Sequence, residues 1–558
     1  MEEACLINLS FCLFYKILVS GLTFYLRLLY AFRARQLWHL TLTLNRYRSV
    51  NFPLITQAQK HHERTAIVAT EGTFTYRDLL HVSSQIATHL LKDAEDLEER
   101  RVAFLVPSGF QYVATQWGIW RAGGIAVPLC HSHPRPELEY VITHSGASII
   151  VAHPDFETIL RPIAEAHHLR LILTTDALPS AAVLPAIAIT RRALILYTSG
   201  TTGKPKGVVT THENIQAQVT SLITAWEWVA DDRILHVLPL HHIHGIINVL
   251  TCALWVGAEC HMVPFDAQVI WNRISDGDLT LFMAVPTIYA KLITAWEADS
   301  NGDLGDASAE IRCNRQQRRS AGCTKMRLMV SGSAALPIQV LEKWNSISGH
   351  FLLERYGMTE IGMALSNPLH GQRRAGSVGK PLPQVRVKLV DESGEGVPSE
   401  TPGEIQVRSP GVFLEYWQNP EATAKAFRDG WFCTGDFAVV ENDDYRILGR
   451  MSVDIIKTGG YKVSALEIEE VLRTHPAIQE CAVVGIADLE WGERVCAALV
   501  LQAEGFQAKQ SLPLDVFRNW AKEQLAVYKV PTRILTVEEL PRNAMGKVTK
   551  PAVAELFL

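Results

Sequence analysis

The stretch Tyr197–Val208, YTSGTTGKPKGV, combines hydroxyl residues with three glycines and two lysines, directly after LILY (194–197), a short apolar run typical of a strand. So polar a run buries little apolar surface, so the entropic cost of ordering it points to a bound ligand. Backbone N–H groups, hydroxyls and lysines together favour phosphate. The P-loop pattern is excluded, because it needs glycine where Pro205 stands. For this segment alone, a Gly/Thr-rich hairpin turn remains the alternative.

The composition is that of a globular protein with more than one domain. The chain has 558 residues, 48% of them hydrophobic and 20% charged, with a formal net charge of −5. This acidic balance argues against a nucleic-acid partner. The ten cysteines are scattered and contain no C-x-x-C pair, which indicates a reducing compartment. His241, His242 and His244 lie close in sequence, but nothing nearby completes a metal site.

The N-terminus predicts a targeting segment over residues 1–50. Residues 5–32 are strongly apolar, but Lys16 and Arg27 interrupt them, so no stable membrane span is expected. Residues 4–62 contain no acidic side chain and several basic ones, as in mitochondrial transit segments. The mitochondrial matrix is therefore the expected location. A cytosolic or membrane-associated protein is the alternative, because Glu2 and Glu3 and the high hydrophobicity are unusual for such segments.

From about residue 60, strand-like runs alternate with helix-like segments, which predicts α/β layers. The boundary is placed near YRILGRMSVD (445–454), giving domains over 51–449 and 450–558. The second is a compact α+β unit whose first helix opens with a capping box at Ser464–Glu467. The polar stretch 297–322 has the composition of a disordered surface insertion.

Four further motifs are LPLHHIHG (238–245), ERYGMTE (354–360), WFCTGD (431–436) and PRNAMGK (541–547). Each alone is a weak signal. Together with the opening stretch and the Gly-Arg pair at 449–450, in this order, they resemble the acyl-adenylate-forming family of acyl-CoA synthetases. The resemblance covers roughly residues 60–555. It implies a large multilayer α/β domain that binds ATP and the acid, a small mobile C-terminal α+β lid, and coenzyme A as co-substrate.

The resemblance also implies which residues hold the ATP phosphates. Glu360 matches the family's Mg²⁺-binding acid, and the Thr359 hydroxyl would face the α-phosphate. The residues that match the phosphate loop are Thr198, Ser199, Gly200, Thr201, Thr202, Gly203, Lys204, Pro205 and Lys206. A site in which the substrate carboxylate meets the ATP phosphates at the α-phosphorus needs many hydrogen-bond donors and positive charges.

For the nucleoside, Asp436 matches the residue that accepts both ribose hydroxyls, and a carboxylate has the two acceptor oxygens this needs. Arg450 would add a donor to the same ribose. The residues that match the adenine platform and the adjacent pocket wall are Tyr356, Gly357, Gly332 and Ser333.

Lys547 matches the lid lysine that bridges the substrate carboxylate and the α-phosphate during adenylation. In the family the lid then rotates, so that KTGGYK (457–462), with Gly459 and Gly460, guides the CoA pantetheine. Relatives often carry Asp or Lys as the hinge two residues after the Gly-Arg arginine, whereas this chain has Ser452.

Within the family, runs such as LERYGMTEIGMALSNPL and SVDIIKTGGYKVSALE are most similar to malonyl-CoA synthetases, the mitochondrial ones in particular. The implied substrates are malonate, or methylmalonate, with ATP and CoA. A ligase for another short- or medium-chain acid, a non-catalytic adenylate-binding protein and an adenylating oxygenase are the alternatives. A diacid needs a cation at the far end of the acyl pocket. The candidates are Lys291 first and Arg327 second, with His244 as a donor at the pocket mouth.

Overall fold

In the computed structural model, the described residues are 52–198, 205–301, 309–459, 461–502, 513–543 and 546–558. The predicted targeting segment 1–50 lies outside them. Within these ranges, no helix is both long and apolar enough to cross a membrane. The predicted fold class is confirmed, since mixed α/β layers precede a small α+β unit.

The strands of the described residues form four sheets. The first has the order β15-β14-β13-β12-β11-β9-β10-β1-β2, with parallel pairing from β1 through β13 and antiparallel strands at both edges. Its strands are β1 (Thr65–Ala69), β2 (Gly72–Thr75), β9 (Arg233–His236), β10 (Glu259–Met262), β11 (Leu281–Ala284), β12 (Leu328–Ser331), β13 (Leu353–Met358), β14 (Gly362–Ser366) and β15 (Lys380–Pro381).

The second sheet has the order β18-β8-β7-β4-β3-β5-β6, parallel from β7 through β6. Its strands are β3 (Arg101–Leu105), β4 (Ile125–Pro128), β5 (Ile149–Ala152), β6 (Arg170–Leu173), β7 (Arg192–Thr198), β8 (Lys206–Thr211) and β18 (Glu415–Tyr416). In both sheets the parallel strands are near-continuous runs of buried apolar residues, as expected when helices cover both faces.

The third sheet is antiparallel, in the order β16-β17-β20-β19 with β21 added to β20. Its strands are β16 (Arg386–Val390), β17 (Gly403–Arg408), β19 (Phe427–Arg428), β20 (Trp431–Glu441) and β21 (Asp444–Arg450). The fourth sheet, in the order β23-β22-β25-β24 with β26 on β25, belongs to the C-terminal unit. Its strands are β22 (Ile455–Thr458), β23 (Tyr461–Ser464), β24 (Ile478–Asp488), β25 (Gly492–Leu501) and β26 (Arg533–Thr536).

Helices lie between the strands. Several begin at a residue whose side chain caps the first turn: Thr75, Thr211 and Ser464 each accept a backbone N–H, and Thr75 and Thr211 form full capping boxes. The α-helices are α1 (Pro53–Lys60), α2 (Tyr76–Leu91), α3 (Phe110–Arg121), α4 (Arg135–Ser145), α5 (Glu157–Ala166), α6 (His212–Trp226), α7 (Cys252–Val256), α8 (Ala267–Asp276), α9 (Pro286–Asn301), α10 (Ala309–Thr324), α11 (Ile338–Ser348), α12 (Pro420–Lys425), α13 (Ala465–Leu472), α14 (Leu514–Gln524) and α15 (Lys550–Glu555). A π-helix spans His244–Thr251.

The segment 297–322 corrects the prediction of a disordered insertion. Its described parts are the end of α9 and most of α10. Arg319 of α10 is fully buried, lies 2.9 Å from the buried Asp299 of α9 and covers the Trp271 ring at 5.5 Å. The described parts of this segment are therefore helical and contain buried charge at Asp299 and Arg319, which composition alone cannot distinguish from solvated charge.

Candidate active site

The candidate site lies where the carboxyl ends of parallel strands meet the C-terminal unit. Strand β12 ends at Ser331 and continues into Gly332 and Ser333, and β13 carries Arg355 and Tyr356. This edge is where ligands bind in open α/β sheets. Ser333 has φ +71°, an uncommon conformation for a non-glycine residue, and such strain is concentrated at functional sites.

The residues predicted to bind the nucleoside come from two sheets. Asp436 on β20 and Arg450 on β21 are direct partners in the strand register, and Arg450 Nε donates to Asp436 Oδ1 at 2.8 Å. From the first sheet, the Tyr356 hydroxyl donates to Asp436 Oδ2 at 2.6 Å. Asp436 is 7% exposed, so these two donors fix a buried carboxylate. Burial is the largest single influence on Arg450 and works against its charge, but the hydrogen bond to Asp436 and the negative charges of Asp436 and Glu360 together raise the pKa of Arg450.

Glu360 is 6% exposed and accepts a hydrogen bond from the Tyr416 hydroxyl at 2.9 Å. Burial raises the pKa of this carboxyl, and the Tyr416 hydrogen bond and the charge of Arg450 only partly oppose that shift. A cation beside Glu360 would therefore be strongly stabilised. Lys206 Nζ lies over the Tyr416 ring, 5.1 Å from its centroid, so Tyr416 connects Glu360 to the phosphate hairpin. Thr359 is half-buried and immediately precedes Glu360.

The described ends of the opening stretch lie on the antiparallel strands β7 and β8. Thr198 and Lys206 are register partners, and the Tyr140 hydroxyl donates to the Pro205 carbonyl at 2.9 Å. The predicted phosphate ligands Ser199, Gly200, Thr201, Thr202, Gly203 and Lys204 lie outside the described residues. The antiparallel strands on either side of this segment agree with the alternative of a hairpin turn. Such a turn is compatible with phosphate binding, so the two interpretations do not exclude each other.

Lys547 reaches the site from the C-terminal unit. Its backbone N–H donates to Asn543 Oδ1 at 3.1 Å, within a turn in which Gly546 has φ +74°. Burial lowers the pKa of Lys547 to about 8, and the positive charges of Arg355 and Arg450 add to the shift. Lys547 is therefore within electrostatic range of both arginines.

Arg355 is a site residue that the sequence analysis missed. It is 4% exposed, and burial lowers its pKa. Its Nη2 donates to Ser333 Oγ at 3.3 Å, its Nε has no hydrogen-bond partner, and no ion pair to it occurs among the described residues. A Cβ on Gly332 would lie 2.6 Å from the guanidinium, so glycine is needed there for close packing. The sequence did contain a signal for this residue, because Arg355 is a charged residue within a strand and directly precedes Tyr356, the residue that matches the adenine platform.

His244 begins the π-helix, is 5% exposed and lies with Nδ1 3.3 Å from Ser333 Oγ. Burial lowers its pKa well below the usual value, as does the charge of Arg355, so the ring is neutral. Because the Ser333 hydroxyl accepts from Arg355, it can donate to Nδ1, and in that arrangement the ring proton lies on Nε2. That Nε2 is buried and without a partner. His244 and Arg355 thus present two unsatisfied donors beside the same serine.

Two predicted partners for a distal carboxylate are corrected. Lys291 is exposed on α9, with Nζ 5.3 Å from the centroid of the Phe265 ring. Arg327 precedes β12, at the end opposite the site, and donates to both carboxylate oxygens of Asp232 at 2.8 and 2.6 Å. The position of Lys291 in the sequence does not show which face of α9 is buried, and an arginine at the amino end of a strand is far from the carboxyl end of that strand.

The segment predicted to guide the pantetheine, residues 457–462, includes parts of strands β22 and β23 in the C-terminal unit. Gly459 has φ +56°, and its N–H donates to the Trp491 carbonyl at 2.9 Å. Gly460 lies outside the described residues.

Gly357 lies in β13, where an added Cβ would meet the Gly362 carbonyl oxygen at 2.1 Å, so its lack of a side chain permits the bulged pairing with β14.

This arrangement agrees with the comparisons with known proteins. Residues 54–417 match the AMP-binding enzyme family, and residues 467–547 match the AMP-binding enzyme C-terminal domain. The chain belongs to the AMP-binding enzyme family. The mitochondrial malonate–CoA ligase ACSF3 of Homo sapiens is 45% identical over 543 residues, covering 90% of this chain and 92% of that protein. The malonate–CoA ligase of Arabidopsis thaliana is 39% identical, covering 89% of this chain and 86% of that protein.

Among solved structures, ATP-bound MatB from Rhodopseudomonas palustris has a TM-score of 0.80 and 30% identity, covering 91% of this AMP-binding enzyme and 99% of that chain. The apo form of the same protein has a TM-score of 0.71. The backbone therefore superposes better on the ATP-bound form than on the apo form.

Proposed function

We propose that this chain ligates malonate to coenzyme A with ATP, through malonyl-adenylate, with release of pyrophosphate and AMP. The observation that carries the choice of acid is Arg355, a buried guanidinium without an acidic partner among the described residues. A buried unpaired charge is costly, so it implies an anion that arrives with the substrate. The neutral His244 adds an Nε2 donor on the same side of Ser333. The similarity to malonate–CoA ligases supports the same acid.

In the first half-reaction, a malonate carboxylate oxygen attacks the α-phosphorus of ATP, the bond to the β-phosphate oxygen breaks, and pyrophosphate leaves. Asp436 would hold the ribose hydroxyls, and Tyr356 and Arg450 keep its oxygens oriented. Lys547 would place its ammonium between the carboxylate and the α-phosphate, where two anions must meet. Arg355 and His244 would hold the second carboxylate away from the reacting phosphorus, which fixes which end reacts.

Glu360 fits the Mg²⁺ predicted from the family resemblance. Mg²⁺ usually takes one or two protein carboxylates and completes its coordination with phosphate oxygens and water. Among the residues that the structure describes, no group of three or more His, Cys, Asp and Glu side chains could hold a metal. An ion shared with the nucleotide at Glu360 agrees with that, and when bound it would offset charge on the phosphate oxygens.

In the second half-reaction, the CoA thiolate attacks the acyl carbon of the adenylate, the bond to the phosphate oxygen breaks, and AMP leaves. The hairpin bearing Gly459 would approach the site after rotation of the lid and guide the pantetheine. In the present arrangement Lys547 is half-buried and its ammonium is within electrostatic range of Arg355 and Arg450, so we expect the lid to rotate before the pantetheine enters.

The test compares malonate with butyrate, which has similar length but no distal carboxylate. Arg355→Met should lower kcat/KM for malonate at least tenfold, as expected for loss of a buried charge partner worth about 2–5 kcal/mol. Butyrate activity should hold or rise. Lys291→Met is the matched control, since this lysine is exposed on α9, and it should change neither value. Equal loss for both acids would favour the alternative of a short- or medium-chain monoacid ligase.

We propose delivery to the mitochondrial matrix by residues 1–50, from their basic, acid-poor composition and the mitochondrial relatives. A fluorescent protein fused after residue 50 should enter mitochondria, and a chain starting at residue 51 should keep its ligase activity. Cytosolic fluorescence, or retention in the endoplasmic reticulum, would contradict the proposal.

A further inference from the structure

The lid contacts the large domain through two helix ends that cap each other. Helix α11 begins after Pro337, which provides no side-chain cap, so its first N–H groups lack a local acceptor. The Ile338 N–H donates instead to Glu470 Oε1 of lid helix α13, at 3.1 Å. A carboxylate at this position also interacts favourably with the positive end of the helix dipole.

The second contact runs in the opposite direction. Helix α13 is followed by its C-cap residue Arg473, whose carbonyl oxygen receives no hydrogen bond from within the helix. Gln339 Nε2, in the first turn of α11, donates to that carbonyl at 2.9 Å. Arg473 Nη1 also lies 3.5 Å from the other oxygen of Glu470 and orients the carboxylate. Each helix therefore supplies the polar group that the other lacks.

The position of α11 connects this contact to the active site. The chain runs from Ser331 through Gly332 and Ser333 directly into Pro337 and the start of α11. Ser333 receives the Arg355 hydrogen bond, and Lys547 lies on the same lid as Glu470. A contact between the lid and α11 therefore also fixes the position of the lid relative to residues 331–333.

We propose that Glu470 and Gln339 form a latch that holds the lid in the arrangement for adenylation, and that this latch must open before thioester formation. The inference rests on the proposed two-step function. Glu470 and Gln339 are positioning residues, because neither contacts the reacting groups. Both hydrogen bonds join parts that must separate when the lid rotates, so their contribution belongs to one arrangement only and shifts the population of the two.

The experiment separates the half-reactions in the full chain. Single-turnover pyrophosphate release from ATP and malonate, without CoA, measures adenylation. CoA added with synthetic malonyl-adenylate measures thioester formation. Glu470→Ala should slow adenylation about 3- to 30-fold, the range for losing a helix cap, while thioester formation holds or accelerates. Glu470→Gln, which keeps an acceptor oxygen, should recover part of the rate, and Gln339→Ala should shift both steps in the same directions as Glu470→Ala.

The matched control is Glu392→Ala, which removes the exposed ion pair that Lys462 of the lid makes with the large domain. An exposed pair contributes little, so both half-reactions should stay within about twofold of the wild type. Equal slowing of both steps in Glu470→Ala, or no difference from Glu392→Ala, would overturn the latch.

A direct measure of lid position distinguishes failure of the latch from failure of the proposed function. Dyes on Val183→Cys in the large domain and Val516→Cys in the lid, both exposed positions, report the separation by energy transfer in a background in which Cys5, Cys12, Cys313 and Cys433 are replaced by serine. With ATP bound, Glu470→Ala should populate a second separation. An unchanged distribution would reject the latch even if malonate is the wrong acid, because this measurement needs no turnover.

Discussion

Two groups of charge lie side by side in this site and differ in one respect. Asp436 and Arg450 neutralise each other, with Tyr356 adding a second donor. Arg355 and Lys547 are both cations, Arg355 lowers the pKa of Lys547, and neither forms an ion pair among the described residues. The first group is complete before any ligand arrives and serves to orient. The second is incomplete, so its favourable interactions form only when anions enter.

The difference separates binding from catalysis. A prearranged pair interacts with ribose equally in the ground state and in the transition state, which affects KM. Lys547 would act where negative charge from two reactants converges, which affects the chemical step, whereas Arg355 would bind the distal carboxylate of malonate. Variants of the two groups should therefore have different kinetic signatures, and three predictions test that contrast.

The largest effect is expected for Lys547→Ala. Adenylation should fall about 100- to 1000-fold, because the ammonium is needed where the carboxylate meets the α-phosphate. Single-turnover pyrophosphate release measures this step. Thioester formation from supplied malonyl-adenylate is the internal control and should remain largely intact. Equal loss of both steps would contradict the assignment.

The second effect is expected for Asp436→Ala, which removes the ribose acceptor and leaves Arg450 without its partner. The KM for ATP should rise about 10- to 100-fold, as for the loss of hydrogen bonds to a charged group, with a smaller change in kcat. Initial rates over a series of ATP concentrations give both constants. The KM for malonate is the control within the same variant, and an unchanged ATP dependence would remove Asp436 from the site.

The sequence was informative where a residue's role follows from its place in a motif. The motifs predict roles for Asp436, Arg450, Glu360 and Lys547; in the structure Arg450 donates to Asp436, and its charge affects the pKa values of both Glu360 and Lys547. Their roles in catalysis stay predictions. It was uninformative where a role depends on side-chain direction. Arg355 stood inside a quoted motif, but only tertiary packing reveals that its guanidinium is buried and unpaired.

The same limit explains the errors. Lys291 was chosen from helical spacing, which gives relative positions on a helix but not which face is buried. Arg327 was chosen from its motif, although its position before β12 places it at the wrong end of the strand. The segment 297–322 was judged by composition, which does not identify a buried pair such as Asp299 and Arg319. The alternation of strands and helices was enough for the fold class, because it depends on periodicity alone.

The third and smallest effect concerns pH and couples the two cations directly. Burial lowers the pKa of Lys547 to about 8, and Arg355 and then Arg450 contribute further. Adenylation needs the charged ammonium, so kcat/KM should be retained below this pKa and fall as pH rises through about 8. Arg355→Met removes one nearby positive charge, which raises the pKa of Lys547 and should move the fall to higher pH. The shift should be less than about one unit, since burial is the larger cause.

The pH profile should be measured with butyrate, because Arg355→Met is expected to retain that activity. Lys291→Met is the matched control, since its exposed ammonium lies over Phe265 rather than in the site, and its profile should overlay that of the wild type. Arg355→Lys keeps a positive charge and should leave the fall nearer to its wild-type position. If Arg355→Met leaves the alkaline fall in place, the titrating group is not Lys547. If the fall moves to lower pH, Arg355 does not repel the lysine, and the two positive side chains do not share one volume.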